Sequence, residues 1–192
     1  MQKMFFFALG VAALLLMAPA PNAQAQSKSE TPKVEVGVNY TLLRTNGAGI
    51  IDSTSDSGVG GRITYNLANS LAIEAEFNSF PQDGRINLAS LAAIDSHKTQ
   101  GLFGVKYGMR SEKWGIFGKL RPGFVRFSEG SSPIGSPATE FALDLGGVFE
   151  LYPTRPVALR FDVGDTLIRF SSLGSGFTSN NLQISTGLAF RF

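Results

Sequence analysis

Along most of its length this chain alternates, residue by residue, between apolar side chains and polar or small ones. A period of two sends successive side chains to opposite faces of an extended strand, so each such stretch reads as a β-strand with two unlike faces. The last eleven residues, LQISTGLAFRF, carry the pattern clearly: Leu182, Ile184, Leu188, Phe190 and Phe192 lie on one parity, and Gln183, Ser185, Gly187, Ala189 and Arg191 on the other.

Seven further stretches repeat it, over residues 34–43, 58–67, 71–80, 98–109, 114–127, 140–151 and 157–170. Charge falls on the parity opposite the Leu/Val/Phe face: Glu35, Arg62, Glu74, Glu76, Lys106, Lys119, Arg121, Asp144, Glu150, Arg160, Asp162 and Arg191. These six acids and six bases are able to neutralise one another, with Lys106, Lys119 and Arg121 expected against the acids. Pro122-Gly123 predicts a bulge, because proline removes a ladder donor. A second bulge at Gly164 is expected to turn Asp165 inward and Ile168 and Phe170 outward.

Connections alternate in length. Those near Ala68, Glu112 and Thr154 are short; those over 44–57, 81–97, 128–139 and 171–180 are Gly/Ser/Thr/Asn-rich or longer, and 86–94 is expected to form a short helical turn. Residues 1–25 read as a cleaved signal peptide: Lys3, an apolar run over 5–17 too short to span a bilayer, and Ala23-Gln24-Ala25 before the cut. Residues 26–33 are then a polar lead-in and 34–192 the barrel.

Composition narrows the chemistry. With no Cys there is neither a disulfide framework nor a thiolate metal site. A net charge of +2 over 192 residues leaves no nucleic-acid footprint. No cofactor motif is present, and no loop carries a phosphate-binding or Ca²⁺ pattern.

Periodicity alone admits two barrels. A soluble one, of lipocalin-like periplasmic type, points the apolar parity inward; a membrane one points it at lipid and fills its lumen with the charged parity. The export signal, the even strand number and the alternation of short turns with long loops favour the second. Two aromatic girdles fit it: Tyr65, Tyr107, Trp114, Tyr152, Phe190 and Phe192 near one end, and Tyr40, Phe77, Phe80, Phe124, Phe127, Phe141 and Phe170 near the other. The expected fold is all-β, an eight-stranded antiparallel up-and-down transmembrane barrel in the bacterial outer membrane.

On this architecture and on the terminal LAFRF, the mature chain resembles the eight-stranded barrels of the OmpA and OmpX type, within the outer membrane protein β-barrel domain family. The resemblance implies contact with outer-membrane lipid, and recognition by the barrel assembly machinery through Leu188, Phe190 and Phe192 in the C-terminal strand. It also implies a barrel-only member, without the peptidoglycan-binding domain that OmpA-type proteins often carry, and with a structural or surface-interaction role.

Small outer-membrane barrels include lipid-modifying enzymes, but the one His, His97, follows Ser96 and Asp95 directly, and neighbours on an extended chain face apart. The acids are better explained as partners of the lumen bases than as a hydrolytic pair. Eight strands leave an interior that side chains fill, so a charged plug is expected in place of a pore. The expectation is no enzyme, no cofactor and no nucleic acid, with any extracellular ligand held by the loops.

Overall fold

The computed structural model describes residues 31–45, 54–87, 92–128, 136–170 and 176–192. The expected signal peptide, residues 26–30, and the centres of the four long connections lie outside the described residues. Eight strands follow in order: β1 Val34–Thr45, β2 Thr54–Asn66, β3 Leu71–Asn87, β4 Ala92–Arg110, β5 Trp114–Phe127, β6 Ala138–Thr154, β7 Val157–Phe170 and β8 Phe177–Arg191. Each pairs antiparallel with its neighbour, and β1 closes on β8 through pairs such as Val36↔Phe190, so the sheet is a closed barrel. Closure leaves no strand edge in hydrocarbon, the condition for a sheet to cross a membrane.

The stagger of that closure follows from the register. Val34 pairs with Tyr65, and the line continues through Ile73, Val105, Leu120, Leu145, Asp165 and Leu182 back to Arg44 of the first strand. One circuit therefore climbs ten residues (44 − 34), or 1.25 residues per strand. This shear sets which side chains from distant strands share a level.

The two parities face as a membrane barrel requires. Val36, Val38, Tyr40, Ile63, Tyr65, Phe103, Val105, Phe149, Phe161, Val163, Ile184 and Phe190 are exposed on the outer face, while the charged parity is buried in the interior. Small residues adjust both surfaces. A Cβ on Gly60 would lie 2.0 Å from Asn78 Oδ1 inside the barrel, and one on Gly101 would lie 2.6 Å from the Phe124 ring that covers it outside.

Several local expectations are corrected. The strands run further outward than the alternation suggests: β1 continues through Arg44 and Thr45, β2 begins at Thr54, β6 at Ala138 and β8 at Phe177. The 81–97 connection is largely hairpin, with Pro81↔His97, Ile86↔Ala93 and Asn87↔Ala92 paired, so Ile86 and Ala93 are strand residues and no helical turn contains them. Backbone ladder bonds hold a strand even where alternation lapses, which composition does not reveal.

Neither expected bulge forms. Pro122 pairs with Leu143, and the β4–β5 register is the same on both sides of it, Leu102↔Gly123 and Val105↔Leu120. The missing N–H costs ladder rungs to β4 without inserting a residue. Around Gly164 the pairing is continuous from Phe141↔Arg169 to Leu151↔Leu159. Asp165 consequently stays on the outward parity, where it accepts from the Asn181 amide at 2.7 Å and Asn180 Nδ2 at 3.1 Å. Ile168 and Phe170 point inward and are buried.

Candidate functional site

The candidate site is the barrel interior, and it is built in three layers. All twelve charged residues singled out by parity lie in it, each nearly inaccessible to solvent at the side chain. At the end bearing the short turns, Arg110 and Arg191 meet Glu35, each at 3.4 Å. Lys106 bonds Glu150 and lies 3.5 Å from Glu74 and 3.9 Å from Glu35. Arg160 of β7 bonds Glu74 of β3 through both guanidinium ends, with Nη2 to Oε2 at 2.9 Å, and holds Asp162 at 2.8 Å. Because β3 and β7 are four strands apart in a ring of eight, this pair spans the lumen.

One level further out, Arg121 donates to Glu76 at 2.7 Å and through Nε to Asp144 at 2.8 Å, with Nη2 ion-paired to the same Asp144 oxygen at 2.6 Å. Lys119 bridges Asp144, at 2.9 Å, and Asp162. Arg62 lies 3.7 Å from Glu76. Mutual pairing is what allows so many charges to be desolvated together.

Above the ions is a neutral belt. Asn39 Nδ2 donates to Asn78 at 2.7 Å, Asn78 to Gln100 at 2.9 Å, and Gln100 to Gln183 at 3.0 Å. The last bond joins β4 to β8, a second contact across the full width of the ring. Thr166 donates to Gln183 at 2.8 Å, and Thr41 and Ser185 share a bond of 2.9 Å.

The third layer, toward the long connections, is apolar. Val125, Phe127, Ala142, Ile168 and Phe170 form a buried cluster that Phe177 extends. The Phe127 and Phe170 rings lie 5.6 Å apart and those of Phe170 and Phe177 4.9 Å. Beside them Lys98 pairs with Asp56 at 2.5 Å and lies over the Phe127 ring.

The aromatic girdles are corrected here. Phe80, Phe127 and Phe170 are buried inside the barrel, and Tyr152 is an interior residue that donates to Glu150 at 2.7 Å and carries Arg191 over its ring at 4.0 Å. Tyr65, Tyr107, Trp114, Phe190 and Phe192 remain outward at one end, and Tyr40, Phe77, Phe124 and Phe141 at the other. Parity already separated these sets, since Phe80 shares the parity of Glu74 and Glu76; assigning girdles by position along the strand overrode it.

Sequence reasoning missed Arg110, Tyr152 and the Lys98–Asp56 pair. Arg110, just past the 98–109 stretch, extends the parity of Lys106, and in the structure it bonds Asn66 and Tyr152, each at 3.0 Å. Continuing the alternation one residue past Met109 reaches it. Asp56 lay within an expected loop.

Other expected positions are unremarkable chemically. The His97 amide donates to Ser128 Oγ at 2.8 Å, and its side chain is exposed. Leu188, Phe190 and Phe192 face outward, with Phe192 N–H donating to Val34 O at 2.8 Å to seal the β1–β8 seam. Among the described residues no group of three or more His, Cys, Asp or Glu side chains is arranged to hold a metal ion.

No curated protein matches the chain. Among solved structures it is similar to Ail, the attachment invasion locus protein of Yersinia pestis, at 14% identity and TM-score 0.56 over 85% of this chain and 100% of that one. It is similar to the N-terminal β-barrel domain of Pseudomonas aeruginosa OprF at 10% identity and TM-score 0.56, over 85% and 100% of the two chains. Neisserial surface protein A is similar at 14% identity and TM-score 0.54, over 83% and 97%. At these identities the likeness is one of fold. The outer membrane protein beta-barrel domain matches residues 10–192, and with its eight-stranded closed barrel the chain belongs to that family of bacterial outer-membrane proteins.

Proposed function

We propose that this is a non-catalytic outer-membrane barrel whose lumen is plugged by its own side chains and whose role is structural or a matter of surface interaction. The observation that carries the plug is the pair of contacts across the ring, Arg160–Glu74 and Gln100–Gln183, stacked at two levels. An eight-stranded interior is only as wide as the side chains that fill it, and here they meet in the middle. The twelve charged residues serve stability in this reading. Reconstitution into a planar bilayer tests it: the expected result is no stable conductance, and a large steady one overturns the plug.

A surface role is favoured by the β3–β4 hairpin. Backbone pairing of β2 with β3 ends at Ser79 and that of β4 with β5 at Lys98, with Ser128 still bonded to His97, so 82–87 and 92–96 pair, among the described residues, only with each other. Ail, a barrel of the same fold, has been seen in complex with the heparin analogue sucrose octasulfate. Loops on a rigid barrel are a natural place for such contacts. Loss of binding to an extracellular polyanion on shortening the hairpin, with the barrel still folded, is the expected result if recognition lies there.

Residues 1–25 act in this reading as a cleaved signal peptide, and Leu188, Phe190 and Phe192 as the strand read by the assembly machinery. Amino-terminal sequencing of the membrane form is expected to begin at Gln26. Phe192→Ala is expected to lower the folded yield in cells.

A further inference from the structure

We propose that Arg44, Arg126 and Arg169 form a collar on the outside of the barrel that binds the phosphates of outer-leaflet glycolipid. All three lie on the lipid-facing parity and are exposed. They stand on β1, β5 and β7, at the ends that carry the long connections. None makes an ion pair with a described residue, in contrast to the paired charges of the lumen.

The barrel's stagger brings them to one level. Arg126 pairs with Thr139, whose place on β7 falls two residues beyond Arg169. Two strand steps of 1.25 residues each lower that line by 2.5 residues, to within one residue of Arg169. From Arg44 the line runs through Leu182 to Asp165, and the same correction, now upward, brings it to within two residues of Arg169. With β6 and β8 between them, neighbouring arginines are roughly 10 Å apart across the sheet. That spacing suits one headgroup bearing more than one phosphate, or adjacent headgroups.

The surroundings fit a lipid headgroup zone. Directly below the collar, Phe124 and Phe141 are paired in register and exposed on the outer face, where acyl chains lie. At the collar's own level Thr99, Thr139 and Thr178 offer hydroxyls on the same parity. Among the described residues Asp165 is the outward acid of this sector; it is lower on the wall and bonded by Asn180 and Asn181. The opposite end bears outward Tyr65, Tyr107 and Trp114, an aromatic belt at the other interface. Arginine provides a planar fork of donors for phosphate, and each basic residue near an anionic surface adds to affinity.

The inference rests on the outer-membrane placement and is independent of the plugged lumen. The full chain, folded in detergent, would be titrated with a diphosphorylated glycolipid and with the same lipid dephosphorylated. R44Q/R126Q/R169Q and the corresponding Lys variant would be compared, with heat-shifted gel mobility confirming that each is folded. Expected are preference for the phosphorylated lipid, a loss of tenfold or more in the Gln variant, and retention of most binding in the Lys variant. Equal affinity for the dephosphorylated lipid, or unchanged binding by the Gln variant, overturns the collar. Inorganic phosphate binding as tightly as the glycolipid overturns the lipid assignment.

Discussion

Arg160 on β7 and Glu74 on β3 are 86 residues apart in sequence and joined by a two-point ion pair through the centre of the barrel. Lys106, Arg121 and Asp162 crowd the same pair, so neither charge stands alone. Arg160→Met should destabilise the barrel by about 3–5 kcal/mol, because Glu74, Glu150 and Asp162 remain buried with one base fewer. Urea unfolding in vesicles, read by gel mobility, measures it. The double variant E74Q/R160M is expected to lose less than the sum of the single changes, since it removes one charge of each sign.

The apolar layer gives a sharp test of which way side chains face. Phe170→Ala empties a site between Phe127 and Phe177 and should cost about 3–5 kcal/mol. Phe141→Ala, on the outer face, leaves a gap that lipid fills, and its cost should be clearly smaller. Equal losses in the same unfolding assay would contradict the inward placement of Phe170.

Val38 tests the lipid face itself. It is 67% exposed near the middle of β1, with Asn39 beside it turned inward. Val38→Arg should cost about 2–4 kcal/mol in a bilayer, the range for a base near the midplane. At a water-facing position the same change would cost little, so a Val38→Arg variant that folds into vesicles as stably as the unaltered chain would contradict the lipid-facing placement of Val38.

Gly60 leaves space for the Asn39–Asn78 bond. A β-carbon there meets Asn78 Oδ1 and the Phe77 carbonyl, 2.4 Å away, so Gly60→Val is expected to lose about 1–3 kcal/mol by overpacking. Its heat-induced gel shift should occur at lower temperature.

The β3–β4 hairpin predicts a pattern of hydrogen exchange. Between the Phe80↔Lys98 and Ile86↔Ala93 pairs, alternate amides point across the ladder and should exchange slowly relative to a loop. Uniformly fast exchange over 81–97 would restore the loop reading.

Much of this molecule is written locally in its chain. Period-two alternation makes strands, and placing Glu74, Glu76, Arg160 and Asp162 on one parity assigns them to one face before any pairing is known. With the apolar parity and the alternating connection lengths, that is enough for the barrel, its strand number and its lumen set. Parity also carried Arg110 and Phe80, and was lost where turn residues or girdle expectations displaced it.

What the tertiary structure alone decides is level and partner. Alternation says that Arg160 and Glu74 face inward; the ten-residue stagger of closure brings them to the same height on opposite walls. The continuous ladders past Pro122 and Gly164 are likewise set by neighbouring strands, which hold the register when one donor or side chain is unfavourable. The same stagger aligns Arg44, Arg126 and Arg169 on the outer wall. The facing of a residue depends on its immediate neighbours in sequence, whereas its level depends on every strand pairing around the ring.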